Sequence, residues 1–431
     1  MHFLSRWDSQ RLSTTTRGIP LVAGLSIDEI ADQHWRPSRG DLALPALTFD
    51  ETAFAANRDL FLRWCKGAGV TVAPHAKTPM SPELARSLRE AGAWGTTVAN
   101  IQQAAVLLAH GERRLLLANE IGGLAAGRRL GAVLGAYPET EFYAFADSPA
   151  AVAALAEAAL IADRRELSVL VELGAGRAGA RDRAAVEATI AAVLAADRLV
   201  LGGVATYEGA VATSDSNETM RAIAALMERT IETFALVRAA APRLPLIISA
   251  GGSAYFDIVA RALAPVAHGD GNAIVLLRSG ALFFADHGIY ARALAELDRR
   301  GGLLVDGAQR SAAEGFRPAL TLWAEVLSRP EAGLAIGGFG MRDASFDQGL
   351  PVPLRVFRDG VAQQGLAATL SVTRLNDQHA FLSLAPDSTL AVGDVIAFGI
   401  SHPCTCLDRW RVIFALDADG VVTRALPTQF G

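Results

Sequence analysis

The chain has 431 residues, 51% of them hydrophobic and 20% charged, with a net charge of −5; a single core does not grow to that size, so about two domains are expected. That balance leaves no basic surface for a phosphodiester backbone, which argues against nucleic-acid binding, and no stretch reaches the ~18 continuous apolar residues of a membrane span. Only three cysteines, Cys65, Cys404 and Cys406, and a first segment without an apolar stretch point to a reducing, cytoplasmic setting.

From about residue 42 to about 300, short apolar or β-branched runs alternate with Ala-, Leu- and Arg-rich stretches of helical period. Strands are expected at 42–48, 71–76, 94–99, 114–118, 141–146, 167–173, 199–207, 244–249 and 274–284. Helices are expected at 51–66, 81–91, 101–110, 148–162, 181–196 and 217–240. This is a βαβ series, and some eight repeats over ~250 residues fit an α/β fold of the (β/α)8 barrel type better than a doubly wound open sheet. After residue 305 the texture becomes short strands at 320–327, 334–336, 367–374, 380–384, 394–398 and 410–416, punctuated by Gly, Pro, Asp and Asn. The expected division is an N-terminal extension over 1–40, a barrel over 41–305 and an all-β domain over 306–431, with 337–364 as loops.

The chain carries only two lysines, Lys66 and Lys77. Arginine cannot shed its proton to become a nucleophilic amine and a desolvated lysine can, so a lysine at a barrel strand end suggests Schiff-base chemistry. An ordinary surface lysine at a strand-to-helix turn is the alternative. Other polar residues fall at expected strand ends: His75, Asn100, Asn119, Glu120, Arg177, Tyr207, Glu208 and the turn Gly251-Gly252-Ser253. Amides of such a turn late in a barrel can cradle a phosphate. A strand-end lysine together with a phosphate turn implies pyridoxal phosphate, whose aldehyde needs the amine. Tyr207 is placed to edge the cofactor ring, and Arg177 to meet its phenolate oxygen or a substrate carboxylate.

In the β domain, Ser401-His402-Pro403-Cys404-Thr405-Cys406 follows an expected strand. If that segment stays extended, His402 and Cys404 project to one face and can share a metal, and imidazole with thiolate suits zinc. Two ligands leave positions open for water or substrate. Cys406 reads as a packing residue, and His379 is a further candidate.

At these residues the chain resembles the D-serine dehydratase and D-threonine aldolase family, whose barrel is related to alanine racemase. The shared pattern is Pro74-His75-Ala76-Lys77-Thr78, Ser81-Pro82-Glu83-Leu84-Ala85, Thr97-Val98-Ala99, Leu117-Ala118-Asn119-Glu120, Gly251-Gly252-Ser253, Arg278-Ser279-Gly280, Asp286 with Tyr290, Gln378-His379 and Ser401-His402-Pro403-Cys404. The resemblance implies that Lys77 binds pyridoxal 5'-phosphate, that Arg177 and Tyr207 flank it, and that Gly251, Gly252, Ser253 and Tyr290 surround its phosphate. It also implies a divalent metal, zinc, on His402 and Cys404, and a homodimer in which one β domain helps close the partner's barrel mouth. Ala250 stands where a third glycine is usual, Ser253 where threonine is usual, and the segment before His379 is not glutamate-rich. The implied reaction is β-elimination from D-serine or D-threonine to a 2-oxo acid and ammonia, because His-x-Cys resembles the dehydratase branch. The alternatives are D-threonine or 3-hydroxy-D-aspartate aldol cleavage, and, from another class, a non-catalytic pyridoxal phosphate carrier.

Overall fold

The computed structural model describes residues 11–164 and 166–430. After β1 (Ala46–Asp50) and α1 (Glu51–Gly67), the barrel runs β2 (Thr71–Val72), α2 (Pro82–Glu90), β3 (Thr96–Val98), α3 (Ile101–Ala109), β4 (Arg114–Leu117), α4 (Leu124–Ala136), β5 (Glu141–Ala146), α5 (Pro149–Ile161), β6 (Leu167–Glu172), α6 (Arg183–Leu194), β7 (Leu199–Ala205), α7 (Ser216–Ala240), β8 (Leu246–Ser249), α8 (Phe256–Asp270), β9 (Ala273–Leu277) and α9 (Ile289–Arg299). Polar caps set where these helices start: Asp50, Asn100, Ser148, Asp182 and Asp215 each accept an N–H from the first turn that no helical carbonyl reaches.

The eight strands β2 to β9 are parallel, in the order β2-β9-β8-β7-β6-β5-β4-β3. The ends meet where the chain beyond β2 runs beside β3: His75 bridges Thr97, Thr97 N–H donates to the Pro74 carbonyl at 3.0 Å and Ala76 N–H to the Thr97 carbonyl at 2.8 Å. The lumen is packed, not hollow. Ala73, Leu116, Phe145, Leu170, Ala205, Ile247 and Leu276 form its own apolar cluster, so the strands' C-terminal ends become the floor of a mouth.

A hairpin of β10 (Leu303–Val305) and β11 (Ala308–Arg310) and one turn of helix, α10 (Ala312–Gly315), lead into the β domain. It contains β12 (Leu320–Glu331), β13 (Leu334–Gly337), β14 (Val352–Arg358), β15 (Val361–Ala362), β16 (Ser371–Leu375), β17 (Ala380–Ser383), β18 (Val395–Gly399), α11 (Pro403–Leu407), β19 (Val412–Leu416) and β20 (Val422–Pro427). Its main path is β15-β14-β18-β12-β1-β19-β20, with β13, β17 and β16 continuing from β12.

Here β1 corrects an expectation. The run at 42–48 was expected to open the barrel; instead β1 lies in the β-domain sheet, antiparallel to β12 and parallel to β19. A short strand buried on both faces carries no mark of which sheet it joins, and Thr48 decides locally by accepting the Trp323 indole N–H at 2.8 Å. The other eight expected strands form the barrel. Residues 352–358, expected as loop, are β14, whose bulge between Pro353 and Arg355 accommodates the proline that hid it. Residues 11–45 cover the same sheet: Leu12, Ile19, Ile30, Trp35 and Leu42 pack with Val412, Phe414, Val422 and Ala425.

The two domains share a core. Phe49 on β1 meets Phe54 at 5.2 Å and Phe284 at 5.9 Å between ring centres, so the β-domain sheet is packed onto the barrel through aromatic contacts. A second tie is backbone: His287 N–H donates to the Ile400 carbonyl and Ile289 N–H to that of Ser401, both at 3.0 Å. Gly288 makes this approach possible, since a Cβ there would lie 2.4 Å from the Ser401 carbonyl oxygen. That clamp holds His402 over the barrel mouth. Among the described residues no helix is long and apolar enough to cross a membrane.

Candidate active site

Lys77 stands in the turn between the chain leaving β2 and α2. Its side chain opens to the mouth. Partial loss of hydration lowers the pKa of its amine; Cys404 opposes that shift, and the positive charges of Arg177 and Arg278 add to it. Such an amine loses its proton at lower pH than a free lysine. His75, two residues earlier, is held neutral by burial and by the charges of Lys77 and Arg278, and its Nδ1 has no hydrogen-bond partner.

On the far side of the mouth, the Arg177 guanidinium lies 4.7 Å over the Tyr207 ring. Gly209 leaves room for that ring, because a Cβ would fall 2.4 Å from the Tyr207 hydroxyl. Burial, with Glu208 next to it, raises the Tyr207 pKa. Tyr290 at the start of α9 is raised well above the usual phenol value, by burial first and then by Cys404, while a hydrogen bond with Ser253 works the other way. Asp286 fixes that helix start by accepting the Gly288, Tyr290 and Ala291 N–H groups.

The expected cradle differs from its sequence reading. The Gly251 and Gly252 N–H groups already donate to Glu208, at 3.0 Å to Oε2 and 2.7 Å to Oε1. Gly251 adopts φ +86° with Leu277 packed where its Cβ would be, so the turn tolerates no side chain there. The Ser253 hydroxyl accepts the Leu282 N–H at 3.3 Å.

Arg278, first quoted only inside a motif, is the central cation. It is 7% exposed, follows β9 directly, and donates to the Ser249 hydroxyl and the Thr206 carbonyl, each at 2.6 Å. An arginine immediately after the last barrel strand was the available signal. Opposite it, Glu172 ends β6, and Glu120 and Asp147 lie just beyond the ends of β4 and β5. Burial, then the neighbouring Glu172 carboxyl, pushes the Glu120 pKa up to about 9, so Glu120 keeps its proton at neutral pH.

From the β domain, His402 caps α11 and Cys404 occupies that helix's first turn. The segment is therefore not extended, and the two-residue alternation is not what brings the side chains together. A cap followed by a first helical turn does so instead. Burial disfavours the charged His402 ring, but Cys404 and Asp347 outweigh it and push its pKa up to about 9. Asp347 accepts from His402 Nδ1 at 2.6 Å and from the Thr405 hydroxyl at 2.6 Å, which leaves Nε2 of His402 free to face a ligand. The Thr78 hydroxyl lies 3.2 Å from Cys404 Sγ, so the thiol is one residue along the chain from Lys77.

Asp347 was not foreseen, because it arrives on a loop. Its neighbour Ser345 accepts the His402 N–H at 3.1 Å. Cys406 is buried, its thiol pKa pushed up to about 12 by burial, in keeping with a packing residue. His379 sits exposed in the turn between β16 and β17, Asn100 caps α3, and Asn119 donates to the Ala99 carbonyl. Among the described residues no three His, Cys, Asp or Glu side chains converge as a metal cage.

Two family models match, in order: the alanine racemase N-terminal domain over residues 49–259 and the putative serine dehydratase domain over 319–416. A D-threonine aldolase from Arthrobacter sp. is 24% identical over 363 residues, 83% of this chain and 85% of that one. Among solved structures, D-threonine aldolase from Filomicrobium marinum aligns with a TM-score of 0.72 at 23% identity, covering 90% of this chain and 95% of its own. D-threo-3-hydroxyaspartate dehydratase from Delftia sp. aligns at 0.66 and 23%, covering 90% and 98%.

Proposed function

For a chain that belongs to the D-serine dehydratase and D-threonine aldolase family, we propose a lyase that converts D-3-hydroxy amino acids such as D-serine or D-threonine to a 2-oxo acid and ammonia, by elimination of water across the α and β carbons and its return when the resulting imine is hydrolysed, using pyridoxal phosphate and a divalent metal, zinc by its ligands. One observation carries the reading: the Cys404 thiol lies against Thr78, beside Lys77, so the donors that suit a metal and the amine that suits the cofactor share one mouth.

The residues fit both groups. Lys77 offers a partly desolvated amine, with Arg177 over Tyr207 on the far side of the mouth and Ser253 near Tyr290. His402, its Nδ1 tied to Asp347, and Cys404 would hold the metal, an imidazole and thiolate set that suits zinc. Pyridoxal phosphate, when bound, supplies the electron sink for the α carbon, and the metal a Lewis acid for the β-hydroxyl. Lys77 would be the base for the α proton; its lowered pKa keeps more of it neutral. Arg177, exposed at the rim, is the cation for the substrate carboxylate.

The test is a product analysis with purified protein, pyridoxal phosphate and D-threonine, with and without chelator. Release of 2-oxobutanoate and ammonia that chelation suppresses is expected. Glycine and acetaldehyde would replace elimination by aldol cleavage, and no turnover of any D-3-hydroxy amino acid would leave a carrier. The same reading includes a homodimer, supported by the exposure of Lys77 and Arg177 in the single chain, and a cytoplasmic location, supported by three free cysteines. Light scattering checks the first.

A further inference from the structure

The glycine turn after β8 already holds the carboxyl group of Glu208. Glu208 is 0% exposed, and its two carboxylate oxygens take one N–H each from Gly251 and Gly252. A carboxylate out of contact with water persists only where hydrogen bonds and opposite charge compensate it. Both are present. The two amides are one part, and Arg278 is the other.

Arg278 is itself nearly buried, and both of its own hydrogen bonds go to uncharged acceptors, the Ser249 hydroxyl and the Thr206 carbonyl. Its charge therefore needs a carboxylate in its neighbourhood, and Glu208 acts on it more strongly than Glu172 does. A phosphate on the Gly251 and Gly252 amides would have to expel Glu208 into a space already filled by Tyr207 and would strip Arg278 of that compensation.

We infer that the Glu208 side chain is a permanent internal acceptor of this turn, a positioning residue that holds Gly251, Gly252 and Arg278 in place, and that the cofactor phosphate is received beyond the two glycines, by Ser253 and Tyr290. The inference rests on the reading that pyridoxal phosphate binds at Lys77. It narrows that reading, since two of the amides expected to contact phosphate would then be kept by Glu208.

The test has two arms. In a crystal structure of the wild-type protein with pyridoxal phosphate, Glu208 should still accept from both amides while phosphate oxygens lie on the Ser253 and Tyr290 hydroxyls. Phosphate oxygens on the Gly251 and Gly252 amides, with Glu208 displaced, would overturn the inference and leave the cofactor reading standing. In solution, cofactor titration should show Glu208→Gln weakened about tenfold and Glu208→Ala about a hundredfold, the scale of losing charge-assisted hydrogen bonds. The pH at which the bound cofactor's visible absorbance titrates should also fall in Glu208→Gln, because an uncompensated Arg278 disfavours a second positive charge at Lys77; a purely structural role would leave that midpoint in place. Binding as tight as or tighter than wild type would mark Glu208 as a blocker and sink the inference. If neither variant folds, the wild-type crystal structure decides alone, and failure of the wild type to take up cofactor would overturn both readings.

Discussion

In the barrel half of the site, Tyr207 and Arg278 follow strand ends that the parallel sheet itself gathers and Lys77 stands in the turn beyond β2, whereas in the β-domain half His402 is aimed by Asp347, 55 residues earlier, through a single 2.6 Å hydrogen bond. The first half is over-determined. The strands on either side and the packed lumen set the floor from which the Lys77 turn rises. The second half depends on a five-residue helix, a loop and the Gly288 clamp. On the proposed reading, the amine that would anchor the cofactor is on the barrel, and the part that would act on a β-hydroxyl hangs on contacts that few substitutions would need to change.

The sharpest way to break the comparison is Lys77→Arg. Turnover of D-serine or D-threonine should fall by about a thousandfold or more, with the visible absorbance of bound cofactor lost and the far-ultraviolet circular dichroism unchanged. Retained turnover would remove the barrel half from the chemistry. Next comes Asp347→Asn, which keeps the shape and drops the charge that orients His402. Metal affinity, read by titration, should weaken by about 10- to 100-fold while global stability moves by no more than about 0.5 kcal/mol. If stability falls and metal affinity does not, the β-domain half is structural.

A smaller effect tests the acidic side of the mouth. Because the Glu120 pKa is raised to about 9 in the fold against about 4.3 in an unfolded chain, the folded state keeps a proton that the unfolded state has released. Stability should therefore fall as pH rises between those values. Glu120→Gln keeps the neutral shape, so its melting temperature should gain on wild type from pH 5 to pH 9. An equal difference at both pH values would refute the raised pKa. Least of all should happen in Lys66→Arg, on the exposed last turn of α1, where activity stays unchanged and stability shifts within about 0.5 kcal/mol.

Periodicity and residue chemistry were enough to read the alternating barrel, the later β domain and the conspicuous amine at Lys77, because these depend on local pattern and on the order of elements along the chain. They were enough to single out His402 and Cys404 but not their geometry: an extended segment was expected where Pro403 starts a helical turn. Three things lay out of reach. The sheet that β1 joins depends on partners more than 270 residues away, at Trp323 and beyond. Asp347 reaches His402 only once the loop before β14 folds onto α11. Glu208 could be seen at a strand end, but that its carboxylate fills the turn at Gly251 and Gly252 follows from two neighbouring barrel strands ending side by side. The chain alone determined which residues are able to do chemistry. Only packing decided which of them meet, because a hydrogen bond or a buried charge pair between distant residues is a property of the closed fold and leaves no periodic trace along the sequence.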